Sequence, residues 1–375
     1  MSRPDAPKIR LRVTAVAMTA VSLAFGLAGC GKTGQPSGPS GPATGKGGMK
    51  IGLLLPDNHT PRWETFDRPL IEKKIKELCG NCTVEYANAE GDVATQQHQV
   101  DAVISRGVNV LILSAVDATS SASSVKEAND AHIPVVSYDH LARGPVSGYI
   151  SFDARQVGRL QAHALLEAMG REAANGGQIV MMNGDPADPN TIQFKRGALS
   201  VLKGAVRIGK AYDTVGWRPE NANTNMSGAI AALGADSIDG VYAANDGLAR
   251  GVISALKAAK IKPLPPVTGQ DAELAAVQRI VSGEQYMTVY KPFRPEADAA
   301  AEMAVALGRG EKLDHIATSK VSGPSGEDIP AVLLTPVSAT LADIKDTVVK
   351  GGMYTVEQIC TDKYKAACDR AGLTR

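Results

Sequence analysis

From residue 49 onward the chain alternates short β-branched apolar runs with helical stretches, and it does so twice over. Strand-like runs at 50–55, 83–87, 108–115 and 133–139 are separated by stretches at 64–78, 94–106 and 120–131 whose apolar residues recur at helical spacing. Such alternation builds right-handed βαβ units and hence a parallel, doubly wound sheet. After a strand at 149–153 the pattern restarts, with helices at 155–169, 192–202, 220–233, 247–259 and 272–282. Strands at 178–182, 206–214, 240–244, 266–269 and 286–290 lie between them. Two such sets imply two similar α/β domains. A last helix at 295–307 and a strand at 331–334 are too little for a third. They are expected to complete the first two, so the chain should cross between domains several times.

Open parallel sheets bind ligands in the crevice outside the carboxyl ends of their strands, so the residues that follow each strand carry the functional signal. The first strand is followed by Asp57 and then Arg62-Trp63, and the fourth, Ile133-Pro134-Val135-Val136-Ser137-Tyr138, by Asp139-His140. In the second set the strand ends carry Asp185, Asp188 and Asn190, then Trp217, Asn245-Asp246, Gln270-Asp271 and finally Lys291. Any one of them reads as a turn or helix cap, as Asn190 or Asn245 would. Together, drawn from both domains, they define one polar cleft. Only 4% of residues are aromatic, yet both tryptophans fall at these ends, which favours a ligand surface over core burial. Asp139 and Asp271 offer forked acceptors, Asn190 and Asn245 donate and accept, and Arg62 and Lys291 donate. Flat indole faces suit the C–H side of a pyranose and the forks suit its hydroxyls, so a small neutral sugar or polyol between two closing domains fits the set.

Catalysis is not indicated. The sequence has no Gly-x-Ser-x-Gly elbow, His-Glu-x-x-His or glycine-rich dinucleotide turn. A carboxylate beside Arg or Lys stays ionised, which suits an acceptor better than a general acid. No cofactor is expected, and no Cys/His cluster has metal spacing. A net charge of +1 argues against nucleic acid.

The first residues have a different composition. Arg3, Lys8, Arg10 and Arg12 precede an apolar run at 13–27 that ends in Leu27-Ala28-Gly29-Cys30. That is the pattern of a secretory signal, too short for a membrane span. Leu-Ala-Gly-Cys resembles a bacterial lipobox, in which Cys30 is acylated and becomes the new N-terminus; loss of 1–29 would move the net charge to about −2. Gly26 to Thr33 also match the phosphate-loop pattern, but a Gly/Pro/Ser tail follows where a helix is required. Residues 30–48 read as a flexible tether. With Cys30 assigned, Cys79, Cys82, Cys360 and Cys368 remain, and an exported protein keeps disulfides. Two local staples, Cys79–Cys82 and Cys360–Cys368, are expected, although spacing alone leaves the connectivity open.

Several segments carry a family resemblance: Tyr138-Asp139, Tyr149-Ile150-Ser151-Phe152-Asp153, Trp217-Arg218-Pro219-Glu220-Asn221-Ala222 and Asn245-Asp246. Gly269-Gln270-Asp271, Met287-Thr288-Val289-Tyr290-Lys291-Pro292 and Leu333-Leu334-Thr335-Pro336 continue it. From 49 to about 352 the chain resembles the periplasmic sugar-binding proteins of ABC importers, above all those that bind D-xylose. The resemblance implies the type I periplasmic-binding-protein fold, with domains joined by three hinge strands near Asp153, Pro292 and Ala331. The lobes would then be 49–152 with 292–330, and 153–291 with 331–352, leaving 353–375 as a C-terminal extension. It places sugar contacts on Arg62, Trp63, Asp139, Asn190, Trp217, Asn245, Asp271 and Lys291, with Asp188 as an addition. Xylose binders carry an arginine where this chain has His140, so His140 is expected to tune sugar choice and to bring pH sensitivity.

The expectation is thus a monomeric, lipid-anchored, extracytoplasmic solute-binding protein that delivers a monosaccharide, D-xylose first, to an ABC permease and its ATPase. A sugar sensor signalling to a membrane kinase is the alternative, and a secreted carbohydrate-active enzyme a weaker one. A LacI-type regulator shares the fold, but a signal and tether occupy 1–48, where its DNA-binding helices would lie.

Overall fold

The computed structural model of the chain describes residues 48–323 and 326–373. The expected signal segment, Cys30 and the tether as far as residue 47 lie outside the described residues. Five parallel strands appear first: β1 (Lys50–Leu55), β2 (Thr83–Asn88), β3 (Val110–Leu113), β4 (Val135–Tyr138) and β5 (Gly148–Phe152). The second set supplies β6 (Gln178–Asn183), β7 (Arg207–Asp213), β8 (Gly240–Ala243) and β9 (Met287–Tyr290). The chain then adds β10 (Ser319–Ser322), β11 (Asp328–Leu334) and β12 (Val337–Thr340).

The first sheet has seven strands in the order β10-β11-β5-β4-β3-β1-β2, parallel except for β10 at its edge. Its central strands are apolar on both faces, as Val-Leu-Ile-Leu in β3 illustrates, because helices cover both sides. The second sheet pairs β7-β6-β8 in parallel, and β9 pairs separately with β12. Each lobe has its own core. Ile51, Leu53, Ile112 and Tyr138 lie in the first, and Ile179, Met181, Val241 and Leu256 in the second.

The chain passes from β5 into the helix Ala154–Met169 on the second lobe, and returns after β9 through Phe293–Gly308, whose Ala297, Ala300 and Ala304 join the first core. The third expected crossing, near Ala331, is displaced. β11 stays in the first sheet over its whole length, pairing Ala331 with Tyr149 and Leu334 with Phe152. The chain leaves only between Leu334 and Val337, because the parallel ladder to β5 continues to its end.

Three further differences have local causes. The expected strand at 266–269 is reduced to a single bridge between Val241 and Val267, since Pro265 and Pro266 lack the N–H groups a ladder needs. The edge strand β10, half exposed and polar, offers no apolar run to read. The stretch 353–373 is no appendage: Ile359, Cys368 and Leu373 are buried against Val277, Ile280, Tyr290 and Val348 of the second lobe. Cys360–Cys368 staples that stretch, and Cys79–Cys82 closes the turn between the helix Arg68–Leu78 and β2. No helix among the described residues is long and apolar enough to cross a membrane.

A cleft lined by two clamped tryptophans

The carboxyl ends of both parallel sheets face one small, polar cavity. All ten residues selected from the sequence line it: Arg62, Trp63, Asp139 and His140 from the first lobe, Asp188, Asn190, Trp217, Asn245 and Asp271 from the second, and Lys291 at the crossing after β9. Asp57, Thr60, Phe194 and Gln270 complete the lining. Asp57 and Gln270 stand at strand ends and carry the same signal as the others. Thr60 and Phe194 carry none, since a threonine in a loop and a phenylalanine in a helix read as ordinary fold residues.

Each tryptophan is held by a carboxylate from its own lobe. After β1, Asp57 Oδ1 accepts the amides of His59 and Thr60, both at 2.8 Å, while Oδ2 accepts the Trp63 indole N–H at 3.0 Å. Trp63 opens a wide π-helical turn, Trp63–Asp67, that precedes the helix Arg68–Leu78; such turns recur at functional sites. After β6, Asp188 Oδ1 caps the helix Pro189–Leu202 through the Asn190 amide at 2.7 Å, and Oδ2 accepts the Trp217 indole N–H at 3.0 Å. Trp217 lies close over Gly184, where a Cβ would stand 2.0 Å from its ring, and meets Phe194 edge-on at 6.4 Å.

A buried chain of charges adjoins the same cavity. Arg62 Nε and Nη2 donate to the two oxygens of Asp67 at 2.8 Å, Nη2 also reaches Glu296 at 2.6 Å, and Nη1 contacts Asp139. The guanidinium lies over Trp63 and over Phe293, 4.4 and 4.3 Å from their ring centres. Burial alone would lower its pKa, but Asp67, Glu296 and Asp139 outweigh that and hold it protonated. Burial pushes Asp67 and Glu296 up toward the neutral form, easing the excess of negative charge around one guanidinium. Burial acts on Asp139 in the same sense, yet Arg62, Lys291 and His140 together hold it well below the usual carboxylate range. Lys291, 2.7 Å from Asp271 and 4.0 Å from Asp139, is kept charged by them against its burial.

The lobes meet across this chain. Asn190 Nδ2 donates to Asp139 Oδ1 at 2.6 Å and its carbonyl at 3.2 Å, and the Ala118 amide reaches the Ala187 carbonyl at 3.3 Å. His140 Nε2 lies 3.3 Å from Asp188 Oδ2. Asn245 combines two roles: its Oδ1 caps the helix Asp246–Ala258 through the Leu248 amide at 2.9 Å, and the residue lines the cavity. Its neighbour Asp246 lies outside the lining and accepts from Gln285, Thr288 and the Glu273 amide instead. That network anchors the turn carrying Asp271. Asp139, Trp217 and Asp271 all have positive φ, at 54°, 53° and 89°. Side chains with a Cβ seldom adopt such backbone, and its concentration around one cavity marks a site the surrounding structure enforces. No group of residues among those described has the make-up of a metal site.

Residues 51–312 match the model of the periplasmic binding protein domain, well over half of the chain. The chain belongs to the periplasmic binding protein family. It is 37% identical over 319 residues to the D-xylose-binding periplasmic protein of Escherichia coli, covering 83% of this chain and 92% of that protein. A multiple sugar-binding periplasmic receptor of Rhizobium radiobacter is 32% identical over 82% of this chain and 92% of its own length. Among solved structures, an ABC transporter solute-binding protein of Clostridium phytofermentans with bound β-D-glucose superposes with a TM-score of 0.77 at 30% identity, covering 83% of this chain and all of the other. The two lobes described above are thus those of a type I periplasmic binding protein.

Proposed function

We propose that this periplasmic binding protein is the extracytoplasmic solute-binding component of an ABC sugar importer, and that its cleft captures a monosaccharide, D-xylose first among candidates. The observation that carries the reading is the pair of indoles, one from each lobe, each fixed by its own aspartate in the lining of one shared cavity. In that lining, Asn190, Asn245, Asp271 and Lys291 supply the forked donors and acceptors that ring hydroxyls require. Asp139 stays ionised and its Oδ1 bonds Asn190, so a sugar hydroxyl would insert there and take over part of that bond. The names of the xylose-binding and multiple sugar-binding relatives support the ligand class. No step of chemistry is assigned, since the ionised Asp139 serves as an acceptor. The lipobox-like Leu27-Ala28-Gly29-Cys30 supports attachment to the membrane through Cys30, and the lobes would present the closed, loaded form to a permease with its ATPase.

Calorimetric titration with a panel of pentoses, hexoses and polyols tests the ligand class. Saturable, one-to-one binding with xylose at or near the top is expected. Absence of binding by every monosaccharide in the panel overturns the reading.

A further inference from the structure

His140 and Asp188 face each other across the cleft, one from each lobe, and the hydrogen bonding around them leaves a place for one proton. His140 Nδ1 lies 2.8 Å from the carbonyl oxygen of Ala115. A carbonyl only accepts, so Nδ1 carries its hydrogen. In the neutral ring Nε2 is then a bare lone pair, and it stands 3.3 Å from Asp188 Oδ2. Asp188 Oδ1 already accepts the Asn190 amide and Oδ2 the Trp217 indole, so the carboxyl is set up throughout as an acceptor. A lone pair facing a carboxylate in a buried site is repulsive, and a proton held between them turns the same contact into an ion pair.

The surroundings favour that proton. His140 is also near Asp139, held ionised by Arg62 and Lys291, and near Asp57, whose Oδ2 is bonded to Trp63; the Trp63 ring meets the imidazole edge-on at 5.4 Å. Burial would lower the pKa of His140, but Asp188, Asp139 and Asp57 more than offset it and raise it. Burial likewise raises that of Asp188. The carboxylates acting on the ring are thus Asp188, Asp139 and Asp57, and the cations Arg62 and Lys291 are paired with Asp139.

We infer that His140 and Asp188 form an inter-lobe proton site, so that closure of the lobes takes up a proton and sugar capture is coupled to pH. This rests on the sugar-binding reading above and adds a regulated, positioning role for His140, which acts through Asp188 on the mounting of Trp217. With the lobes apart, His140 keeps Asp139 and Asp57 of its own lobe but loses Asp188, the partner that faces Nε2. The partner that holds the proton belongs to the closed form, so the contribution to closure is complete below the open-form pKa and is lost as pH rises through the closed-form pKa. Within that window affinity should fall by up to about tenfold per pH unit.

The test is calorimetry of the purified protein with D-xylose, or the tightest sugar of the panel, between about pH 6 and pH 9 in buffers of different ionisation enthalpy. Wild type should weaken as pH rises and take up as much as about one proton per sugar within the window. His140→Gln, whose amide still offers a donor toward Asp188, should show a flat pH profile and no buffer dependence in whatever binding it keeps, because His140 also lines the cavity. Binding by wild type without proton uptake overturns the inference and leaves the sugar reading standing. An unchanged pH profile in His140→Gln also overturns it. No binding at any pH removes the sugar reading and this inference with it. Should the variant not fold, the buffer dependence of wild type decides alone.

Discussion

The two tryptophan mounts are built to one plan and stabilised by different means. In both, an aspartate beyond the first strand of the lobe accepts backbone N–H on one oxygen (two amides at Asp57, one at Asp188) and the indole N–H on the other, at 3.0 Å in each case. Trp63, however, is 3% exposed and belongs to the first lobe's core, backed by Arg62 and by Tyr138, whose hydroxyl contacts Asp67. Trp217 sits on a left-handed residue of a short turn, is only partly buried, and owes its place to the missing side chain of Gly184. The first mount therefore shares its residues with the stability of the fold. The second is only partly buried, although Trp217 packs against the second lobe's apolar core and Phe194, so its failure should cost less stability than failure of the first.

The sharpest way to break this comparison is at Arg62. Arg62→Met strips the partner from three buried carboxyls and should destabilise the protein by about 3–5 kcal/mol, read as a lower urea midpoint. A midpoint within error of wild type would show that the charge chain does not support the first mount. Trp63→Ala should abolish sugar binding and also cost about 3–5 kcal/mol of stability, as large core truncations do. Trp217→Ala should abolish binding while costing clearly less stability than Trp63→Ala, read by thermal unfolding; an equal loss would erase the distinction between the mounts.

A finer probe adds one methyl. Gly184→Ala forces the Trp217 ring to move and should weaken sugar binding by about tenfold, equivalent to about 1.4 kcal/mol, with the Arg62 network untouched. Unchanged affinity in that variant would mean that Trp217 does not contact the ligand. The smallest effect is expected at Asp57→Asn. The amide oxygen still accepts one partner, so a loss of roughly 1 kcal/mol in stability is expected, measured by denaturant unfolding.

The site was unusually legible because parallel sheets collect strand ends on one side. Asp139, Asn190, Trp217, Asn245, Asp271 and Lys291 follow their strands at once or within a short loop, so recognising the strands locates the residues. Thr60 and Phe194 were not legible, since their place in the lining depends on how a loop and a helix face lean over the cavity. Neither was Glu296, which lies 234 residues from Arg62 and meets it only because the helix Phe293–Gly308 crosses back onto the first lobe. The crossing at Ala331 was misplaced for a related reason. The parallel ladder between β11 and β5 depends on strand register, and no residue type marks where it ends.

By itself, then, the sequence determined the elements, their doubly wound order and most of the groups that surround the cleft, because periodicity and strand-end position are local properties of the chain. Tertiary structure decided how those groups are used. Asp139 became the meeting point of Arg62, Lys291 and Asn190, Asp188 became the mount of Trp217, and His140 was set against a carboxylate from the opposite lobe. Each of these pairings joins side chains far apart in sequence, and a buried charge settles its protonation only when its partners close around it.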